Sequence, residues 1–268
     1  MKKILVISDL HVGSLWGLWP PKFRTIDSRT GDRIEFVPNK TQKGLWNHWK
    51  RMLAEVPDPE CIILNGDLID GNQWREKGRG LVTPNLTWQS EACLDILDTL
   101  PKVPMYFTQG TGYHELADGL PVEEHLAKEM GGEFGDDLII DECGIRMQVG
   151  HTISSSSSAW MYWTTAIARD LLLLALHNAE EKYGKVDVAI RSHRHNFCGA
   201  IFKSQIGVIT PCWQTRTPFA VKKDLVSPPD IGYVVLHVGP NKNIMIDRSG
   251  IIHSPTPPAR IVGRGRKK

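Results

Sequence analysis

The chain opens with a short apolar run that ends in two side chains suited to binding a metal ion. Residues 4–7 (Ile-Leu-Val-Ile) are mostly β-branched, which predicts a buried strand, and Asp9 and His11 follow this run closely. If the extended backbone continues through these two residues, their side chains point to the same side of the strand. The run predicts either half of a metal site or an ordinary strand end whose polar residues turn to solvent.

The same arrangement recurs along the chain. Four further apolar runs, at residues 61–64, 103–107, 145–149 and 186–190, lead respectively into Asp67, into the stretch 110–115, into His151, and into His193 and His195. In open α/β sheets, ligands bind outside the carboxyl ends of the strands, so we expect these residues to converge at one edge. A single such histidine is more often structural, but their joint occurrence favours a metal centre.

The chemistry of these side chains restricts which metal they suit. Carboxylates and imidazoles are present and no thiolate is among them, which favours Mn, Fe, Co, Ni or Zn over Mg or Ca alone. Asp70, three residues after Asp67, is interpreted as a turn residue. Asn65, which precedes the Gly-Asp pair, is interpreted as structural.

The spacing of apolar residues places helices between the strands. Residues 42–56, 88–100, 121–130 and 159–183 read as helices, and the last of these is so apolar in its middle that we expect it to be buried. After residue 198 the chain reads as strands and turns. This order predicts an α/β fold in which helices cover the sheets.

Length and charge set limits on domain organisation and partners. At 268 residues the chain fits one large domain, expected at 1–252 with an insertion at about 12–41, followed by a basic tail at 253–268. The formal charge of +2 is too small to imply a polyanionic partner for the whole molecule. The tail carries five basic side chains after residue 259, and is either a solubilising end or a nucleic-acid contact.

The cysteines and the apolar runs indicate the compartment. The five cysteines are scattered, and none forms a CxxC pair, which argues against a disulfide framework and a cysteine zinc site. No signal-peptide pattern opens the sequence, and no apolar run approaches membrane-spanning length. We therefore expect a cytoplasmic protein without a membrane segment.

The insertion at 12–41 is rich in tryptophan, arginine, glycine and proline. Because it begins directly after His11, it could form a rim or lid over the site. The alternative is a surface insertion that packs its tryptophans, among them Trp16 and Trp19, on the core.

Taken in order, these motifs resemble those of the calcineurin-like metallophosphoesterases. The resemblance rests on Asp9-Leu10-His11, Gly66-Asp67, a Gly…His-Glu element at 110–115, Gly150-His151 and Ser192-His193-Arg194-His195, and it spans about residues 4–195. It implies two β-sheets packed as a sandwich and flanked by helices, a four-layer α/β/β/α fold. It also implies a hydrolase that cleaves phosphate esters at a centre of two divalent metal ions, with Mn as the first candidate and Fe, Ni, Zn or Co open.

The resemblance assigns a role to each motif residue. Asp9, His11 and His195 would hold one metal, Asp67 would bridge both, and His151 and His193 would hold the second. His114 would be the catalytic histidine that faces the leaving oxygen, and Glu115 would orient it. Two cations of this kind clamp the phosphoryl oxygens and activate water for in-line attack.

One element departs from the family pattern. The family reads Gly-Asn-His, whereas this chain reads Gly110-Thr111-Gly112-Tyr113-His114, so the metal-binding Asn is absent and two residues intervene. The variant resembles the Gly-Thr-x-x-His elements of some phage and viral members. Thr111 or a water would have to stand in for the missing ligand, which leaves open whether the second metal site is filled.

Two classes of function follow from this reading. The first is a phosphoesterase, with a phosphodiesterase or nuclease-type activity as the leading subclass and a phosphomonoesterase open. The basic tail and the Trp/Arg-rich insertion favour nucleic acid or a nucleotide as substrate, because cations bind phosphates and tryptophans stack on bases. The second class is a catalytically weak accessory protein that binds metal or nucleic acid, which the altered Asn element favours.

Overall fold

The computed structural model describes residues 1–72, 77–112, 121–153, 164–180, 184–222 and 228–254, and these form four layers. A six-stranded sheet packs against a five-stranded sheet, three helices cover the first sheet, and one helix covers the second. The predicted α/β/β/α sandwich is confirmed.

The first sheet carries the opening strand at its centre. Its order is β14-β13-β1-β4-β5-β6, with β1, β4, β5 and β6 mutually parallel and β13 antiparallel to both of its neighbours, β1 and β14. Its strands are β1 (Lys2–Ile7), β4 (Cys61–Asn65), β5 (Met105–Thr108), β6 (Glu133–Gly135), β13 (Val234–Val238) and β14 (Ile244–Asp247).

The second sheet has the order β10-β11-β9-β8-β7, and its inner strands β8, β9 and β11 are parallel. Its strands are β7 (Asp137–Glu142), β8 (Ile145–Gly150), β9 (Val188–Arg191), β10 (Cys198–Phe202) and β11 (Gln205–Ile209). Two small antiparallel pairs complete the strands of the described ranges: β2 (Phe23–Ile26) with β3 (Arg33–Phe36), and β12 (Asp230–Ile231) with β15 (Ile252–His253).

Alternation along β1 divides the hydrophobic core in two. Leu5 and Ile7 face the helices, whereas Ile4 and Val6 face the second sheet, and all four are at most 1% exposed. Successive side chains of a strand point to opposite faces, so a strand covered on both sides reads as an unbroken apolar run. This is why the opening run carries no polar residue.

The helices are α1 (Lys40–Glu55), α2 (Leu86–Leu97), α3 (Val122–Met130), α4 (Thr165–Ala179) and α5 (Pro218–Lys222). Helix α1 begins at a capping box in which the Asn39 side chain accepts from the Gln42 amide and the Gln42 side chain accepts from the Asn39 amide. None of the helices in the described ranges is long and apolar enough to cross a membrane.

Helix α4 differs from its prediction. It packs Ile167, Leu171 and Leu174 on the second sheet, but Leu172, Leu173 and Leu176 are each about half exposed, at 51%, 52% and 54%. The expectation of a buried helix was wrong on this side, because a run of leucines covers all faces of a helix while α4 has a sheet on one face only. The flanking residues 154–163 and 181–183 lie outside the described ranges.

The insertion at 12–41 packs a tryptophan into the core. Trp19 is fully buried and makes edge contacts with Phe23 and Phe36, at ring-centroid distances of 5.5 and 5.7 Å. Trp19 is therefore not accessible for stacking on a base, while Trp16 is only half buried. Of the predicted tail, His253 belongs to β15 (Ile252–His253), and residues 255–268 lie outside the described ranges.

Candidate metal centre

Six predicted residues lie in loops that leave the carboxyl ends of strands β1, β4, β8 and β9. Five of them have left-handed backbone conformations, although none is glycine: Asp9 (φ 51°), His11 (46°), Asp67 (51°), His193 (69°) and His195 (58°). Such conformations each cost on the order of 1–3 kcal/mol and concentrate at functional sites. The condition under which Asp9 and His11 would share a face of an extended strand is not met, because β1 ends at Ile7.

Tight turns bring Asp9, His11 and His195 together nonetheless. Asp9 Oδ1 lies 3.2 Å from His195 Nε2 and 3.9 Å from His11 Nε2. The two histidine Nε2 atoms lie 3.1 Å apart. These three side chains form a group that could hold one metal ion.

Asp67, His151 and His193 form a second such group. Asp67 Oδ2 lies 3.1 Å from His151 Nε2 and 3.9 Å from His193 Nδ1. The groups adjoin each other, because Asp9 Oδ1 is also 3.9 Å from His151 Nε2. His151 is buried, whereas the His193 side chain is 45% exposed, so the second group opens to solvent on the His193 side.

Two buried atoms at this junction test whether a metal fits. Within the described ranges, Asp9 Oδ1 and His151 Nε2 are buried and make no hydrogen bond. Buried polar atoms are nearly always paired, and an orphan needs an explanation such as an ion. A carboxylate and imidazole donor set without thiolate suits a borderline divalent cation, so the residues fit such a metal.

Hydrogen bonds outside the two groups fix which nitrogen faces inward. His151 Nδ1 donates to the backbone oxygen of Asn65 at 2.7 Å, which leaves the Nε2 lone pair directed at the groups. His11 Nδ1 lies 3.1 Å from Asp70 Oδ1 and donates to it, with the same result for His11 Nε2. Partners of this kind orient metal-binding histidines and raise their basicity.

Asp70 was wrongly interpreted as a turn residue. It is 1% exposed and accepts hydrogen bonds from His11 and from Gln214 Nε2, the latter at 3.2 Å. The sequence carried one signal for this role, because an acidic residue three positions after Asp67 stays in the same loop. Gln214 carried none, since it is 144 residues away from Asp70 along the chain.

Thr111 hydrogen-bonds to the carboxylate of Asp67. Its backbone amide donates to Asp67 Oδ1 at 2.6 Å, and its hydroxyl lies 2.7 Å from both carboxylate oxygens. Oδ1 therefore accepts from the amide, the hydroxyl is shared between the two oxygens, and Oδ2 also faces His151 and His193. His114 and Glu115 lie outside the described ranges, and their predicted roles stay predictions.

Two glycines make room for the second group. A Cβ on Gly110 would overlap the backbone nitrogen and Oδ1 of Asp67, and would lie 3.0 Å from Glu123 Oε1. A Cβ on Gly66, whose φ is +74°, would lie 2.5 Å from His151 Nδ1. Glu123 was not anticipated from the sequence: it is 2% exposed, and its carboxylate accepts from the Leu68 amide behind Asp67.

Burial and nearby charges shift the pKa values of the histidines in these groups in opposite directions. Burial lowers the pKa of His151, but Asp67 and Asp9 outweigh it and raise the pKa to about 9. Burial likewise lowers the pKa of His195, and contacts with Cys212 and Asp9 hold it well above the ordinary value. For His11, burial outweighs Asp70 and the pKa is lowered.

The predicted Asn65 role is supported by its contacts. Its side chain bonds Ser192 Oγ and Thr108 Oγ1, and so does not enter either group. All five cysteines are free, in line with the prediction that they form no disulfide framework.

Comparison with known proteins gives distant structural similarities. No protein-family model matches the chain, and no curated protein matches it. An archaeal phosphodiesterase structure is 12% identical with a TM-score of 0.47, covering 91% of this chain and 98% of that one. Zinc-complexed Vps29 from Entamoeba histolytica is 14% identical with a TM-score of 0.44, covering 94% and 98%.

A dimetal phosphatase from Danio rerio is 10% identical with a TM-score of 0.44, covering 88% of this chain and 92% of that one. Similarity this low assigns neither a family nor an activity to the chain. What can be said of its chemistry rests on its own residues.

Proposed function

We propose that this chain is a metal-dependent phosphoesterase that uses two divalent ions, with a phosphodiester as the leading substrate class. The observation that carries the proposal is the convergence of Asp9, His11 and His195 beside Asp67, His151 and His193, with two buried atoms at the junction that make no hydrogen bond within the described ranges although each lies within 3.2 Å of an oppositely charged group. The order of the motifs along the chain, which resembles that of the calcineurin-like metallophosphoesterases, supports the same proposal.

The protein residues would have distinct tasks in this reaction. Divalent ions in the two groups would neutralise phosphoryl oxygens and lower the pKa of water. Asp70 and the Asn65 backbone oxygen hold His11 and His151 with Nε2 inward, so no reorientation is needed when substrate arrives. His193 lies at the exposed side, where an ester would enter, and His114 is proposed to protonate the leaving oxygen.

The preferred substrate class follows from charge and from the sequence. A phosphodiester carries one negative charge and a nucleic acid offers many, which the basic residues after 259 would contact. We propose Mn as the resident metal, because the oxygen and imidazole donors suit it, with Fe, Ni, Zn or Co as alternatives.

A second candidate is an accessory protein that binds metal without turnover. The observation that favours it is the Thr111 contact, which occupies Asp67 Oδ1 in place of the asparagine ligand that the resemblance implies. Weak binding in the second group would leave a substrate phosphoryl group with one cation instead of two.

One experiment separates the candidates. Metal content is measured by mass spectrometry, and hydrolysis of bis-p-nitrophenyl phosphate and p-nitrophenyl phosphate is compared with and without Mn²⁺. We expect about two ions per chain and faster diester hydrolysis. Asp67→Asn should lower kcat/KM on the order of 10²–10³-fold, whereas Asp58→Asn, which changes an exposed carboxylate remote from both groups, should not.

Metal binding with no hydrolysis of either ester would refute the enzyme and support the accessory protein as the function of this chain. Faster hydrolysis of the monoester would keep the enzyme and change its substrate class. Digestion of single-stranded and plasmid DNA then tests whether the diester is nucleic acid.

A further inference from the structure

Five buried polar side chains form one hydrogen-bonded chain beneath the metal centre. Ser8, Asn65, Thr108, Ser192 and Thr210 are each 0% exposed. Thr108 Oγ1 bonds Asn65 Oδ1 at 2.5 Å, and Asn65 Nδ2 bonds Ser192 Oγ at 2.5 Å. Ser192 Oγ lies 2.7 Å from Thr210 Oγ1, and Thr210 Oγ1 lies 2.6 Å from Ser8 Oγ.

From Asn65 to Ser8, each side chain of this hydrogen-bonded chain can donate to the next one. When Ser8 donates to the Pro211 oxygen at 3.0 Å, its own oxygen accepts from Thr210, whose hydroxyl also lies 3.3 Å from the Arg191 oxygen. Thr210 then accepts from Ser192, and Ser192 accepts from the Asn65 amide, whose second hydrogen goes to the Gly150 oxygen at 3.3 Å. Thr108 donates to Asn65, while the Ser192, Thr210 and Ser8 hydroxyls can each donate once and accept once, and bonds ordered in this way strengthen one another.

The hydrogen-bonded chain connects the two sheets at the edge where the candidate metal ligands lie. Ser8, Asn65 and Thr108 lie at the ends of β1, β4 and β5 in the first sheet, and Ser192 and Thr210 follow β9 and β11 in the second. Members of this hydrogen-bonded chain closely precede the candidate metal ligands in sequence. Ser8 precedes Asp9, Ser192 precedes His193, and Asn65 is two residues before Asp67.

Each candidate metal group draws ligands from both sheets. The first combines Asp9 and His11 from the first sheet with His195 from the second, and the second combines Asp67 with His151 and His193. The separation of the sheet edges therefore sets the distances between donor atoms within each group. Hydrophobic contacts between sheets are not directional enough to fix that separation, whereas a hydrogen-bonded chain is.

We infer that this chain of buried hydroxyl and amide groups sets the spacing of the two sheet edges, and that its members are positioning residues for both metal groups. The inference rests on the proposed function for its metal readout. It also predicts a property of the metal-free protein, namely that the loops bearing Asp9, Asp67, His151 and His193 are held as one unit.

The test compares three variants. Thr210→Val removes the hydroxyl between Ser192 and Ser8 at nearly constant volume, and Thr210→Ser keeps it. Ser90→Ala removes a buried hydroxyl whose one bond within the described ranges is to Leu86 in its own helix. Should Thr210→Val not fold, Ser192→Ala breaks the same chain. Affinity for Mn²⁺ and Co²⁺ is measured by calorimetry on the full-length protein.

Amide hydrogen exchange of the metal-free protein is the second readout. The amides of Asp9, His11 and Ser192 bond across loops, to the oxygens of Gly66, Asp67 and His151 at 3.0, 3.1 and 3.0 Å. In Thr210→Val these three amides should exchange about fivefold faster or more, corresponding to one lost buried hydrogen bond. Amides of α2 serve as the reference for global unfolding.

The expected result is metal affinity about 10–100-fold weaker in Thr210→Val, with Thr210→Ser and Ser90→Ala close to the unaltered protein. Unchanged affinity in Thr210→Val would overturn the inference and leave the proposed function standing. Equal losses in Thr210→Val and Thr210→Ser would assign the effect to packing and overturn it as well.

Absence of metal binding in the unaltered protein would refute the proposed function instead. Hydrogen exchange then decides the inference by itself. Faster exchange of the three amides in Thr210→Val but not in Thr210→Ser supports the positioning role. Equal exchange rates in the two variants refute that role.

Discussion

Replacing Gly110 by alanine tests the close packing behind Asp67. The added Cβ would overlap the backbone nitrogen of Asp67, an atom that cannot rotate away, so the loop itself must move. Gly110 does not have a positive φ, so the effect is steric and not conformational. Overpacking of this kind costs about 1–3 kcal/mol.

The matched control is Gly44→Ala in helix α1. A Cβ at Gly44 meets nothing within 4 Å, and alanine is favoured over glycine inside helices. We expect Gly44→Ala to stabilise the protein by about 0.5–1 kcal/mol. Replacing glycine by alanine should therefore lower the free energy of unfolding at Gly110 and raise it at Gly44.

Urea unfolding of the metal-free proteins measures both changes, and calorimetry with Mn²⁺ measures the consequence for binding. Displacement of Asp67 should weaken metal affinity about 10–100-fold in Gly110→Ala and leave it unchanged in Gly44→Ala. If Gly110→Ala unfolds at the same urea concentration as the unaltered protein and binds metal as tightly, Gly110 does not pack against Asp67 and the described geometry is wrong.

Three further predictions concern single contacts. Asp70→Asn should weaken metal binding about 10–100-fold through His11, measured by calorimetry, and equal affinity would contradict the orienting role. Because the pKa of His151 is raised to about 9, its stabilising effect on the metal-free fold is complete below pH 6.5 and is lost as pH rises through 9. Melting temperature should fall over that range while metal affinity rises, since binding requires neutral imidazole; the opposite trend would refute the assignment. Asn39→Ala should destabilise the fold by about 0.5–2 kcal/mol through its cap, and an unchanged urea midpoint would contradict this.

The layers of the fold were predictable because strand and helix periods are local. The run at 4–7 is apolar without alternation, which already indicates a strand covered on both faces, as Leu5 and Val6 confirm by facing opposite layers. Helix α4 shows the limit of the same reasoning. Its composition indicated burial, but burial depends on how many layers surround a helix.

The candidate ligands were also recognisable one by one, since each is an Asp or His at a strand end. Their conformations were not, because the sequence left open whether the extended strand continues through Asp9 and His11, which are left-handed. Asp70 and Glu123 were missed for a related reason: an acidic residue in a loop or helix is usually solvated, and only the packed structure shows that each is buried behind a ligand.

The sequence by itself determined the element types of the two main sheets and of helices α1 to α4, the donor chemistry and the edge of the sheets at which the donors appear. Tertiary structure alone decided which donors share a group, that Thr111 binds Asp67, and that five buried side chains connect the two sheet edges. The physical reason is the separation along the sequence of the residues that set each property. Side-chain periodicity and strand ends are properties of neighbouring residues, whereas the distance between Asp9 and His195 is set by how two sheets pack and by the hydrogen bonds between them.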